Sequence, residues 1–234
     1  MKALVIAHDH LSGTGLLAAA LDDAGIDPTT LLVVSADRFA TPDVAVDFPS
    51  ARGFDLVVSL GAPWSVYDEA RLGAWVGGEQ QLLRDADGAG VPVLGICFGG
   101  QQLAAAHGGS VTRAERPEIG WLDVDTDDAG LVESGPWFEW HYDAWQTPPG
   151  AREFARTATA VQAFTLRRNL AVQFHPEANE KIVLGWLDNG GAGQAREHGV
   201  DPDELLAATV AAEPAAAERA ARLLSRFLEQ VASA

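Results

Sequence analysis

The chain is poor in cysteine and in positive charge. Its 234 residues carry one Cys, and 16 Lys and Arg stand against 33 Asp and Glu, for a formal net charge of -17. One cysteine excludes an internal disulfide, so nothing asks for an oxidising compartment and a cytoplasmic location is expected. The excess of acid argues against nucleic acid and anionic membrane surfaces as partners. Long apolar runs are missing too. None approaches the ~20 residues of a membrane span, and the N-terminal run Ala3 to Ala7 is too short for a signal peptide. There is no internal repeat and no low-complexity linker, although residues 207–221 are rich in alanine.

What is present suffices for a core. Apolar residues make up 47% of the chain, with seven Trp and nine Phe, and the length suits one domain or one domain with an appendage. One stretch organises the rest: Val91-Pro92-Val93-Leu94-Gly95-Ile96-Cys97-Phe98-Gly99-Gly100-Gln101-Gln102-Leu103-Ala104. An apolar run stops at Cys97, small residues surround the sulfur, and a helical pattern begins at once. Gly95 and Gly99 flank the cysteine with the spacing of a G-x-S-x-G elbow, sulfur replacing oxygen. Such a turn crowds the backbone and leaves room only for residues without bulky side chains. The N–H groups that open the helix favour a thiolate. A lone cysteine is more often a small buried hydrophobe; these neighbours make Cys97 a candidate nucleophile.

Taken in order, residues 2–7 read as a buried parallel strand. His8-Asp9-His10 follows at its C-terminal end. Ser12-Gly13-Thr14-Gly15 opens a helix running to about Ala24, with Gly25 as its stop. Strands are expected at 30–35 and 55–60, the latter ending in Gly61-Ala62-Pro63-Trp64-Ser65. A helix over about 68–86, interrupted at Gly77-Gly78, leads to the strand 91–96. This alternation predicts an α/β fold with a mostly parallel sheet, which sets His8, Gly61 and Cys97 along one edge. The second half predicts an antiparallel extension: short strands at 110–115 and 120–125, an aromatic segment from Trp137 to Trp145, and strands near 160–166 and 170–174. From Asn179 the chain reads as helical, with a break at Gly190 to Gly193, a short helix from Asp201, and a final amphipathic helix opened by Pro214. The parse is one domain, 1–234, with a catalytic core over 1–189 and a helical segment over 190–234.

A nucleophile needs a base, and the base needs an orienter. His175-Pro176-Glu177 sits at the end of an expected strand, where residues two apart face the same side. His175 would take the thiol proton and Glu177 would hold the imidazole, a Cys/His/carboxylate form of triad logic. His8 and His10 suggest a metal site, but no further ligands complete one; a loop over the site, or solvation, is the expectation. Gly13-Thr14-Gly15 lacks the spacing and the following base of a phosphate loop.

Together, Gly95 to Gln101, the Gly61-Ala62-Pro63-Trp64-Ser65 turn and Phe174-His175-Pro176-Glu177 resemble the class I (triad-type) glutamine amidotransferases, in the order and at about the separations of that family. The chain is similar in particular to stand-alone members related to the amidotransferase domain of GMP synthase. The resemblance implies a flavodoxin-like sheet with helices on both faces, no cofactor and no metal. It implies attack of Cys97 on the side-chain amide of glutamine, release of ammonia, and hydrolysis of a γ-glutamyl thioester, with His175 as base and then acid. It implies an oxyanion hole from the backbone N–H groups of Phe98 and Ala62, with Gly61, Gln101 and Asp143 holding substrate, Asp143 near the α-amino group. The family usually has Gly-Gly-Pro where this chain has Gly61-Ala62-Pro63; if that position needs positive φ, alanine costs on the order of 1 kcal/mol. With no ATP-pyrophosphatase domain in these residues, three functions stay open: a glutaminase feeding a separate synthetase or acceptor, a γ-glutamyl peptide or conjugate hydrolase, or a silent domain that binds a partner through its tryptophans.

Overall fold

The computed structural model describes residues 1–233, leaving Ala234, the last residue of the expected helical segment, outside the described residues. The first strand forms where the apolar run predicts it, β1 (Lys2–Ala7). It is followed by α1 (Leu17–Asp23), β2 (Asp27–Leu32), β3 (Leu56–Ser59), α2 (Glu69–Gly88), β4 (Val93–Ile96) and α3 (Phe98–Ala106). The second half contributes β5 (Ser110–Thr126), β6 (Gly135–Gln146), β7 (Arg152–Arg156), β8 (Val161–Leu166) and β9 (Asn169–Val172), then α4 (Glu180–Trp186), α5 (Ala192–Glu197) and α6 (Pro202–Gln230).

Among the described residues the strands make one sheet in the order β2-β1-β3-β4-β9-β8-β7-β5-β6. Pairing is parallel from β2 to β9 and antiparallel from β9 to β6. Alternate residues of the parallel strands face opposite layers. Ala3, Val5, Val58 and Leu94 pack with α1 and the inner face of α6, where Ala220, Leu223, Leu224 and Phe227 are buried. Leu4, Ile6, Val57 and Val93 pack with α2 and α3 on the other side. The expected α/β architecture with an antiparallel extension is therefore present. The helical C-terminal segment covers the sheet: burying each of Leu223, Leu224 and Phe227 contributes about 1.5–3 kcal/mol.

Several expected boundaries are corrected. β2 lies three residues earlier than the apolar run Leu31 to Val34 suggests, because it pairs from Lys2↔Asp27 onward and leaves mostly exposed side chains at the sheet edge. Gly77-Gly78 does not interrupt α2; Gly78 is small because a Cβ there would lie 3.1 Å from the Phe48 ring. The two short strands at 110–115 and 120–125 are one strand with an irregularity between Arg113 and Glu118, where Pro117 has no N–H to give the ladder. The aromatic segment is the partner strand β6, and β7 is an element that sequence reading missed. Pro214 lies inside a single 29-residue helix, and the helix dispenses with the one hydrogen bond a proline cannot donate.

Candidate active site

The elbow forms for steric reasons that can be stated atom by atom. A Cβ on Gly95 would lie 2.7 Å from the Gly99 carbonyl oxygen, and one on Gly99 would lie 2.1 Å from that of Ser59. Between them Cys97 takes φ 50° and ψ -108°, a backbone state that disfavours any side chain. It is held there because its N–H donates to Val172 O (2.8 Å) and its carbonyl accepts from Gln101 N–H (2.9 Å), while Gly99 N–H donates to Leu60 O (3.0 Å). The thiol thus sits at the C-terminal end of β4 and the first turn of α3. It is buried, at 5% exposure.

His175 and Glu177 do not share a strand face as expected, since β9 stops at Val172. They occupy the turn that follows it. The His175 N–H donates to Phe138 O of β6 at 2.7 Å, and its Nδ1–H donates to Glu177 Oε1 at 2.7 Å. The imidazole packs edge-on against Trp186, 4.9 Å between centroids. Nε2 has no hydrogen-bond partner, and His175 lines the same cavity as Cys97. Burial pushes His175 toward its neutral form, but Glu177 and then Cys97 more than reverse this and hold its pKa well above the usual histidine value. Glu177 is anchored by its carbonyl, which accepts from Leu16 N–H at 3.0 Å. Gly15, at φ 44°, must be glycine because a Cβ would fall 1.9 Å from that oxygen. The Gly13-Thr14-Gly15 stretch thus supports the Glu177 turn.

The Gly61-Ala62 turn faces the same point. A Cβ on Gly61 would lie 2.9 Å from His175 Cε1 and 3.7 Å from Cys97 Cβ, so Gly61, Cys97 and His175 meet in one place. Ala62 does not adopt positive φ, so the strain that a Gly-to-Ala change would bring there does not arise. The N–H groups of Ala62 and Phe98 have no protein acceptor among the described residues. The Phe98 side chain stays out of the pocket and packs 4.8 Å from the His8 ring.

These residues open into a cavity of about 390 Å³ lined by Gly61, Ala62, Cys97, Gln101, Asp143 and His175 on its inner side. Gln101 is buried, its amide donating to Asp143 O (3.3 Å) and Gln173 Oε1 (3.2 Å). Asp143 lies on β6 and is already engaged by Ser65 Oγ (2.5 Å) and Tyr67 Oη (2.9 Å), with Arg113 Nη1 4.0 Å away. The outer wall was not expected: Trp186, Asn189, Gly191, Gln194, Glu197 and His198 come from α4, α5 and the turns beside them. Nothing in the sequence pattern signals that this segment returns over the sheet edge.

Other expectations change. His8 is neither in a loop over the site nor solvated; it is fully buried, with Glu79 also fully buried beside it. None of the seven tryptophans is exposed, and Trp137 stacks on Phe174 at 4.3 Å while Trp145 packs on Phe164. Trp64, Trp75, Trp137 and Trp145 are buried, and Trp121, Trp140 and Trp186 are half-buried. Among those residues no three His, Cys, Asp or Glu side chains gather as a metal site, and no helix is long and apolar enough to cross a membrane. A further buried acid lies close by. Glu139 on β6 has neither oxygen in a hydrogen bond, and His141 Nε2 lies 3.5 Å from Oε2. Burial, then the Glu118 charge, raises its pKa well above the usual carboxylate value; Cys97 adds to this and His175 partly opposes it.

Comparison with known proteins gives this geometry a context. The family model described as glutamine amidotransferase class-I matches residues 22–182. The glutamine-hydrolyzing GMP synthase of Aeropyrum pernix is 38% identical over 173 residues, 68% of this chain but 31% of that protein. A protein of Sulfurisphaera tokodaii, named as one subunit of a glutamine-hydrolyzing GMP synthase, is 37% identical over 147 residues, 58% of this chain and 73% of that one. The match thus spans less than a third of the first relative and most of the second. A glutamine amidotransferase from Thermotoga maritima superimposes with a TM-score of 0.83 at 24% identity, covering 98% of this chain and 99% of that one. One from Methylobacillus flagellatus gives 0.83 at 26% identity, covering 98% and 95%.

Proposed function

The chain belongs to the class I glutamine amidotransferase family, and from that premise we propose that Cys97, His175 and Glu177 hydrolyse the side-chain amide of glutamine. The observation that carries this reading is the convergence of the elbow cysteine with a histidine whose Nδ1–H is held 2.7 Å from Glu177. In the proposed cycle His175 Nε2 holds the proton of the Cys97 thiol while the sulfur attacks the amide carbon. Charge gathers on the amide oxygen, where the Ala62 and Phe98 N–H groups receive it. The C–N bond then breaks, His175 protonates the departing ammonia, and a γ-glutamyl thioester remains. Water, deprotonated by His175, attacks that thioester, giving glutamate and the free thiol. Gly61 lets the turn approach His175 closely. Gln101 holds the floor of the pocket against β6. Asp143 receives the α-amino group.

The whole of residues 1–234 is proposed to act as one amidotransferase domain, with 190–234 closing the core 1–189. The buried face of α6 supports this, since it lies in the same apolar cluster as β1 and β3. The ammonia is proposed to go to a separate synthetase or acceptor enzyme in the cytoplasm, in keeping with the naming of the Sulfurisphaera tokodaii relative as one subunit.

One observation favours a second reading. A cavity of about 390 Å³ falls within the range that holds drug-sized ligands, which is roomy for an amino acid and suits a γ-glutamyl peptide or conjugate cut by the same thiol. A glutamine-like diazo ketone is expected to label Cys97, and Cys97→Ala to abolish turnover. Comparing ammonia release from glutamine with cleavage of γ-glutamyl dipeptides separates the two readings. An active Cys97→Ala variant would sink both, and absence of labelling and of turnover would favour a silent domain.

A further inference from the structure

The chemistry above makes no use of the buried pair beneath the Gly61-Ala62 turn. His8 at the end of β1 and Glu79 on α2 are both fully buried. His8 Nε2 lies 3.1 Å and 3.0 Å from the two oxygens of Glu79. Those oxygens also accept from Ser59 Oγ at 2.7 Å and Gln102 Nε2 at 3.0 Å. On its other side, His8 Nδ1 meets the Gly61 carbonyl oxygen at 3.3 Å, and Ser12 Oγ donates to the same oxygen at 3.1 Å. A carbonyl only accepts, so Nδ1 carries a hydrogen. A carboxylate that already accepts from Ser59 and Gln102 is met by an Nε2 that donates as well. With both nitrogens donating, the ring is an imidazolium, packed between Trp75 and Phe98. The electrostatics agree: burial pushes the ring toward neutrality, but Glu79, with help from Asp9 and the Gly61 carbonyl, more than reverses it and raises the pKa.

A trans peptide is planar, and its C=O and N–H point in opposite directions. The carbonyl of the Gly61–Ala62 peptide is drawn inward to His8 and Ser12. Its N–H, on Ala62, therefore leaves on the opposite side and has no protein acceptor among the described residues. Turning this peptide over would break both hydrogen bonds and strand a buried charged N–H. We propose that His8, held by Glu79, and Ser12 lock this peptide so that the Ala62 N–H faces the pocket as an oxyanion donor before any substrate or partner arrives. They are positioning residues, and their role rests on the assignment of Ala62 N–H to the oxyanion hole.

The test compares wild type with Ser12→Ala and His8→Gln in three measurements: glutamine hydrolysis, alkylation of Cys97 by iodoacetamide, and inhibition by glutamate γ-semialdehyde. The aldehyde adds the thiol across its C=O. A C–S bond forms, the thiol proton stays on His175 and the carbonyl π electron pair becomes an alkoxide in the same hole, whereas alkylation needs no such hole. Expected are losses in kcat of roughly three- to tenfold for Ser12→Ala and about a hundredfold for His8→Gln. KM should hold, inhibition should weaken by matching factors, and alkylation should be as fast as in wild type. Ser12 is only partly buried, so its variant keeps the question answerable if His8→Gln fails to fold. Wild-type kcat in Ser12→Ala, or losses in kcat matched by slower alkylation, would overturn the proposal. A wild-type protein that neither turns over nor reacts with the diazo ketone would instead bring down the reading on which it rests.

Discussion

Replacing Gly61 by alanine puts one methyl group where the turn, Cys97 and His175 meet. Its carbon would lie 2.9 Å from His175 Cε1, 3.5 Å from Nδ1 and 3.7 Å from Cys97 Cβ. The backbone raises no objection, since φ at this position is not positive; the cost is all in the contact. Restoring an ordinary carbon–carbon distance of about 3.5 Å means a retreat of roughly half an ångström. The ring has little freedom to give way. Its Nδ1 is tied to Glu177 at 2.7 Å, its own backbone N–H is bound to Phe138 O at 2.7 Å, and Trp186 packs against it. The turn is pinned from below by Ser12 and His8. A misplacement of about 1 Å can cost a hundredfold in rate, so half of that corresponds to about tenfold in kcat. Overpacking of this kind costs about 1–3 kcal/mol, or a fall in Tm of roughly 2–12 °C for a chain of this size. Glutamate formation at saturating glutamine, coupled to glutamate dehydrogenase, reads the first number and thermal melting the second. Gly73→Ala serves as the control: it is exposed within α2, with nothing inside 4 Å, and should stabilise by up to about 1 kcal/mol with kcat unchanged. A Gly61→Ala enzyme within twofold of wild-type kcat would refute the claim that the turn is packed against a fixed imidazole.

Two further outcomes follow from burial and from helix geometry. His8 and His175 hold their protons above the usual 6.5, and Glu139 holds its proton well above 4.5. The histidine contribution to stability is complete below about pH 6.5 and is lost as pH rises through the folded values. The Glu139 contribution is complete below about pH 4.5 and lost as pH rises through its own folded value. Melting temperature should therefore fall as pH rises above about 4.5 through Glu139 and above about 6.5 through the histidines, at up to ~1.4 kcal/mol per pH unit for each group. Glu139→Gln, which cannot ionise, should make the fall shallower; an unchanged slope would remove Glu139 from the account. Pro214→Ala, within α6, should raise stability by about 1–3 kcal/mol, and an unchanged or lower Tm would mean that the proline compensates elsewhere.

The parts of the fold legible in sequence are those whose signal is local. β1, β3 and β4 are short apolar runs buried on both faces, and the elbow announces itself because Gly95 and Gly99 are dictated by backbone atoms a few ångströms away. The convergence of Cys97 with His175 and Glu177 is readable as a motif, though the strand geometry expected for it does not form. What escapes depends on distant partners. His8 reads as a loop or surface histidine because Glu79, its counter-charge, is 71 residues away. β5 is mostly exposed or half-buried, and β6 alternates buried with half-buried residues only over its second half, so neither gives a clean strand period, and Pro117 makes one strand read as two. Pro214 reads as a helix start because local rules put proline there, while the packing of Ala216, Ala220 and Leu223 carries the helix straight through.

The backbone at Cys97 leaves a historical mark. A non-glycine residue at φ 50° holds on the order of 1–3 kcal/mol of strain, which glycine would relieve. In a lineage freed from any demand for turnover, drift would meet a ready exchange at this codon, one that relieves the backbone while removing the thiol. On the proposed chemistry, persistence of the thiol against that gradient is what selection for use, as opposed to selection for folding, leaves behind.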